Sequence, residues 1–213
     1  MNFQEFKKEV REYPFFRSTI FPHLSCNIAV LRNQIREWVK KGYIIKLKRG
    51  FYTLNSDDRK AGLSQYFLAN NLYSPSYISL ETALSYYGLI PEGVYAITSV
   101  STKKTQGFHN DLGDFIYHNI KKELFSDFIQ IKDEYGYNYQ IASPERALID
   151  FFYFKLSFDK NTGKDVFDIS LRLQNLDIIG IKKLKKIAKK YNVKKLDKIV
   201  NLFGEYLEEN KYV

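Results

Sequence analysis

Arg32, Asn33, Arg36 and Lys40 recur at helical spacing, and Lys46, Lys48 and Arg49 follow closely in the run KLKRGFYTL. These residue types suit a polyanionic duplex. Asparagine can bond adenine through two atoms, arginine can do so with guanine or hold a phosphate, and lysine offers phosphate a point charge. Asn33 and Arg36 are therefore the candidates for base edges, and Arg32, Lys40, Lys46, Lys48 and Arg49 those for backbone phosphates. The plain alternative is a solvated helix face beside an ordinary cationic turn.

Positioning these groups requires a rigid frame, and the first 55 residues can build one. Residues 2–12 carry Phe3, Phe6 and Val10 on one side of an expected helix that ends before Pro14. A short second helix is expected at about Ser18–Leu24, weakened by Pro22. The third, capped by Ser25 or Asn27 and stopped at Gly42, repeats Ile28, Leu31, Ile35, Trp38 and Val39 as one apolar stripe. Opposite that stripe lie Ala29, Val30, Asn33, Arg36, Glu37 and Lys40, with Arg32 at the edge. Two strands, about Tyr43–Lys46 and Phe51–Leu54, enclose a Lys48-Arg49-Gly50 tip. Three helices and a hairpin in this order match a winged helix-turn-helix, whose third helix enters the major groove while its hairpin reaches the adjacent backbone.

Charge supports that assignment. The chain has 213 residues and a formal net charge of +9, unevenly spread. Residues 1–54 carry +7, 55–181 carry −4, 182–198 carry +8 and 199–213 carry −2. Two basic blocks flanking an acidic middle are not uniform solubilising charge. The single cysteine, Cys26, excludes an internal disulfide and suits a reducing cytoplasm. The charged N-terminus and the absence of a long apolar run lead to an expectation of no signal peptide and no membrane partner.

Beyond residue 55 the texture changes, so a second domain is expected over 56–213 and the whole chain is read as α+β. A helix of about Arg59–Leu72 is followed by strand-like runs near Val94–Val100, Asp114–Asn119, Phe128–Lys132 and Tyr137–Ile141, with a turn at Gln106-Gly107. YISLETALSYYGLIPE, from Tyr77, is a helix with Ser79 as cap and Gly88 and Pro91 as stop. ASPERALIDFFY, from Ala142, repeats the design with Ser143, Pro144 and Glu145, and the chain from Ser143 onward is expected to be helical. Thr98, Ser99, Thr102, Lys103 and Lys104 could form a binding rim or merely a solvated loop.

Taken in order, KKGYIIKLKRGFYTL, YISLETALSYYGLIPE, AITSVSTKK, DFIYHNI and ASPERALIDFFY resemble the AbiEi-like antitoxins of bacterial type IV toxin–antitoxin (abortive infection) systems, over roughly residues 27–155. The resemblance implies an N-terminal winged helix that binds inverted repeats in the promoter of its own operon and represses it. It also implies a C-terminal domain that counters a nucleotidyltransferase toxin without a stable complex. The rival is a stand-alone winged-helix regulator whose second domain senses a ligand or partner.

Enzyme chemistry finds little footing. There is no phosphate-binding Gly-Lys-Ser/Thr loop and no Gly-x-Ser-x-Gly elbow. His23 and Cys26 fall short of the four ligands zinc wants, and Asp111, Asp114, Asp133 and Glu134 offer a magnesium nuclease only a weak cluster. Neither a cofactor nor a metal is expected. The C-terminus reads as two amphipathic helices with lysines on the outer face. There Lys182, Lys183, Lys186 and Lys190 are candidates for a second nucleic-acid surface, with a solubilising exterior as the alternative.

Overall fold

The computed structural model describes residues 1–155 and 163–210. The expectation of helix beyond Ser143 also takes in 156–162 and 211–213, which lie outside the described residues. Helix α1 (Phe3–Val10) opens with a reciprocal cap. The Glu5 N–H donates to Asn2 Oδ1 at 2.9 Å, and the Asn2 N–H donates to Glu5 Oε2 at 2.8 Å. Phe6 and Val10 turn inward from it. A two-residue strand β1 (Phe16–Arg17), absent from the sequence reading, precedes a 3-10 turn at Ser18–Ile20 and helix α2 (Phe21–Leu24). Pro22 does no harm in α2, because it sits in the first turn, where an N–H has no intrahelical acceptor.

Helix α3 (Ile28–Lys40) is capped by Asn27, whose Oδ1 accepts from the Val30 N–H at 3.1 Å. Ser25 instead supports the approach, accepting from the Asn27 N–H at 3.2 Å. Leu31, Ile35 and Trp38 are buried, and Ile28 and Val39 pack half-buried at the margin of the same core. Strands β2 (Ile44–Lys48) and β3 (Phe51–Leu54) then close a three-stranded sheet in the order β1-β3-β2. Phe6, Phe16, Phe21, Leu31, Ile35, Trp38, Ile44 and Leu54 form its core. Rings at 5.1 Å (Phe6–Trp38) and 5.4 Å (Phe3–Trp38) tie α1 to α3.

The second half is built on a six-stranded mixed sheet. Its strands are β4 (Ser76–Ile78), β5 (Ala96–Ser101), β6 (Gln106–Asn110), β7 (Gly113–Asn119), β8 (Phe128–Lys132) and β9 (Asn138–Ala142), ordered β6-β7-β5-β4-β9-β8. Helix α4 (Gln65–Leu72) covers one face, with the Tyr117 hydroxyl of β7 donating to the Ala69 carbonyl at 2.7 Å. It starts later than expected because Ser64 is its cap. The preceding residues are pinned elsewhere: the Arg59 side chain donates to Thr53 Oγ1, and the Lys60 N–H donates to the Arg11 carbonyl. The link at residues 55–60 is thus held against the first module. Leu47 and Phe51, on the hairpin, belong to the second core, so the hairpin is shared by both halves.

Helices α5 (Leu80–Tyr86) and α6 (Pro144–Phe154) cover the other face, and α7 (Ile181–Tyr191) and α8 (Lys194–Asn210) pack outside α6. Gly88, at φ +66°, ends α5 with a wrap in which the Leu89 N–H donates to the Leu84 carbonyl at 2.8 Å. Ser143 caps α6 as expected. Ser79 stands at the start of α5, but its hydroxyl does not cap; it donates to Asp150 Oδ2 at 2.7 Å. The hydroxyls of Tyr77 (2.9 Å) and Tyr191 (2.7 Å) donate to the same carboxylate, and Arg146 Nη2 lies 3.0 Å from it. Arg146 and Asp150 are both fully buried. The guanidinium sits between the Tyr77 and Tyr191 rings, 5.5 and 5.3 Å from their centres. One interior charge pair therefore joins β4, α5, α6 and α7. Burial, and then the Asp150 charge, push both phenols upward, so each remains a neutral donor.

His118, half-buried against Phe154 at 5.1 Å, has a buried Nε2 with no hydrogen-bond partner among the described residues. Burial, then the Lys155 charge, hold it below the ordinary histidine range, against the opposing pull of Glu81 and Asp150. The folded chain thus keeps His118 neutral where the unfolded chain takes up a proton, below about pH 6.5. Stability should fall as pH drops from that point through the depressed folded value. Urea titrations at pH 7 and pH 5 should show a smaller loss for His118→Gln than for the parent chain.

No helix among the described residues is long and apolar enough to cross a membrane.

Candidate nucleic-acid interface

The outer face of α3 and the near face of the β2–β3 hairpin enclose an open groove of about 1150 Å³. Arg32, Asn33, Arg36 and Lys40 line it from the helix, and Lys46 and Arg49 from the hairpin. All six are exposed, as are Ala29, Val30 and Glu37 on the same helix face. The helix geometry explains this: Leu31, Ile35 and Trp38 anchor the opposite stripe in the core and force the polar stripe outward. Arg36 Nη1 donates to Asn33 Oδ1 at 3.1 Å, so the two base-reading candidates orient one another. Lys40 pairs with Glu37 at 2.8 Å; both are exposed, and the ammonium holds the Glu37 carboxyl below its ordinary range. Ser18, Gly50 and Tyr52 complete the hairpin side. Gly50, at φ +74°, makes the turn, and the Ser18 N–H donates to its carbonyl at 2.9 Å.

Lys48 departs from expectation. The pairing of β2 with β3 shifts between Lys46 and Lys48, from Lys46↔Tyr52 to Lys48↔Phe51, so the two lysines leave the hairpin on different sides. Lys46 enters the groove, whereas the Lys48 ammonium donates to the Leu72 carbonyl at the end of α4 and lies over the Phe51 and Phe108 rings. Lys48 is therefore not part of the groove.

The lysines of α7 divide similarly. Lys183 pairs with Glu145 (2.7 Å) and Lys190 with Asp127 (2.7 Å), fastening the helix to the domain. Lys182 and Lys186 are exposed, together with Lys185 and Lys189. Of the suggested rim, Thr98 and Ser99 are buried in β5, and Thr98 Oγ1 donates to the Ser79 carbonyl at 2.8 Å. Lys103 and Lys104 are exposed.

Two of the four carboxylates considered for magnesium, Asp133 and Asp114, have other partners. Asp133 accepts from Ser64 Oγ (2.6 Å) and from the N–H groups of Tyr135 and Tyr137, shaping the β8–β9 turn. Asp114 of β7 pairs with His109 of β6 at 2.6 Å, both side chains exposed. Among the described residues no three His, Cys, Asp or Glu side chains gather as a metal site. Cys26 is exposed and unbridged. No family model matches this chain, and neither does any curated protein.

Proposed function

We propose that this chain is a DNA-binding autorepressor and antitoxin, with residues 1–55 acting as a winged helix-turn-helix. The observation that carries the reading is the groove. Six of the seven residues picked out for DNA contact line it, five of them cationic, and Glu37 contributes the one opposing carboxylate to its wall. In this reading α3 enters the major groove, Asn33 and Arg36 exchange their mutual bond for base edges, and the other cations release counterions from phosphates. Antitoxin activity against a nucleotidyltransferase rests on the motif resemblance, and a nucleotidyltransferase reading frame beside this one would support it.

Footprinting the purified chain on its own upstream region tests the reading. Protection of an inverted repeat is the expected result, and equal protection along any duplex would reduce the function to non-specific binding.

The stand-alone regulator keeps one observation in its favour. A cavity of about 460 Å³ opens between β5, β7 and α6, with Tyr95, Ile116 and Phe151 on its walls and a Glu81–Lys155 ion pair (3.0 Å) at its edge. An effector would have room there.

A further inference from the structure

The cavity between β5, β7 and α6 exists because the sheet runs out of side chains there. Ile116 of β7 lines it opposite Phe151 of α6 and is exposed. Its cross-strand neighbour on β6 is Gly107, which has no side chain to cover it. Where a Cβ of Gly107 would lie, the nearest atom is the Phe115 carbonyl oxygen, 4.0 Å away. Val94 and Leu171 add apolar wall, and Tyr95 stands 99 % exposed at the mouth. At about 460 Å³ the space falls in the range that takes small organic molecules.

The polar groups of the rim decide which kind. Glu81 is held by Lys155 at 3.0 Å and Glu92 by Arg172 at 3.2 Å, so an incoming cation must displace a resident one. The Ala96 carbonyl already accepts from Thr82 Oγ1 at 3.1 Å, and Thr98 Oγ1 is spent on the Ser79 carbonyl. Donors are less fully used. The Lys155 ammonium is exposed, carries three N–H groups and meets one carboxylate among the described residues. The backbone N–H groups of Gly93, Val94 and Tyr95 find no acceptor among the described residues. An apolar chamber with spare donors at its rim suits an apolar body that ends in an anion.

We propose that this cavity binds a small apolar monocarboxylate, its body against Ile116 and Phe151 and its carboxylate on the Lys155 ammonium. Glu81 stays on the same ammonium, whose charge between the two carboxylates offsets their repulsion. The proposal rests on the effector reading of the cavity and names the effector's class; it does not depend on how α3 meets DNA.

Calorimetric titration of the full chain with octanoate, octan-1-ol and octylamine tests it. Octanoate should bind at least about tenfold more tightly than either of the others, because it alone brings a charged acceptor to Lys155. Lys155→Gln should weaken octanoate by about tenfold or more and leave octan-1-ol unchanged. Ile116→Glu sets a like charge in the wall and should abolish octanoate binding. Both side chains are exposed, so thermal melts of the variants should match the parent. Failure of octanoate to bind, octylamine or octan-1-ol binding as tightly, or octanoate binding that neither variant weakens would each overturn the proposal. Titrating the upstream duplex with and without saturating octanoate then separates the site from its use. An altered duplex affinity supports the regulator reading, and an unchanged one, with octanoate bound, leaves the cavity its ligand and overturns that reading alone.

Discussion

Asp150→Ala should destabilise the chain by about 3–5 kcal/mol, because it strands the fully buried Arg146 guanidinium without its counter-charge. The loss is larger than one ion pair, since Tyr77, Ser79 and Tyr191 all donate to that carboxylate and would lose their acceptor together. The three hydroxyls come from β4, the start of α5 and the end of α7, so the layers around α6 should loosen together. Asp150→Asn retains the shape and part of the hydrogen bonding, and should be intermediate. Replacing both partners, Arg146→Met with Asp150→Leu, removes the charge instead of orphaning it and should recover the part of the loss due to the stranded guanidinium, while the three hydroxyls still lack their acceptor. Urea midpoints at constant slope measure all three. An Asp150→Ala cost below about 1 kcal/mol would show that water reaches the guanidinium and that the pair does not hold the layers.

The interior pair was hidden in the sequence. Arg146 and Asp150 are spaced i,i+4 and so resemble the exposed salt bridges common on helices. Only the sheet packed against α6 makes their position an interior one. By contrast, the stripe of α3 was readable because one half-exposed helix must repeat its apolar residues every three or four positions. β8 was readable throughout its length, as a short run carrying Phe128, Ile129 and Ile131 between turn-formers. β4 escaped because it is three residues long and buried on both faces, leaving no alternation. β6, QGFHN, is an edge strand with Gly107 inside it and only Asn110 buried, so it looked like a turn.

The hairpin marks the same boundary within the candidate site. Strict alternation puts Lys46 and Lys48 on one face, and the register shift between them separates the two. A bulge has no composition of its own when its residues are ordinary lysines and leucines, so the second side of the hairpin could not be foreseen. Six groove residues were legible because they lie on one helix and one strand whose inward faces are unambiguous.

Replacing Arg32, Arg36, Lys46 and Arg49 together by Ala should weaken binding to the upstream duplex by roughly a thousandfold at 0.15 M salt, the largest functional effect available in the first module. If each of the four neutralises one phosphate, the log K against log salt slope loses about 3.6 in steepness, which gives that factor. Where Arg36 instead addresses a base, part of the loss appears as relaxed preference at one base pair, worth about 1–3 kcal/mol, rather than in the slope. Arg36→Ala alone, assayed on permuted operators, separates the two contributions. Stability is the necessary control. All four side chains are exposed and none forms an ion pair with a carboxylate among the described residues, so each change should shift the urea midpoint only slightly. The result therefore mirrors that for Asp150, where stability collapses while the salt slope of the folded fraction stays unchanged. A quadruple variant that kept the parental slope would remove α3 and the hairpin from the DNA, whatever the charge of the groove.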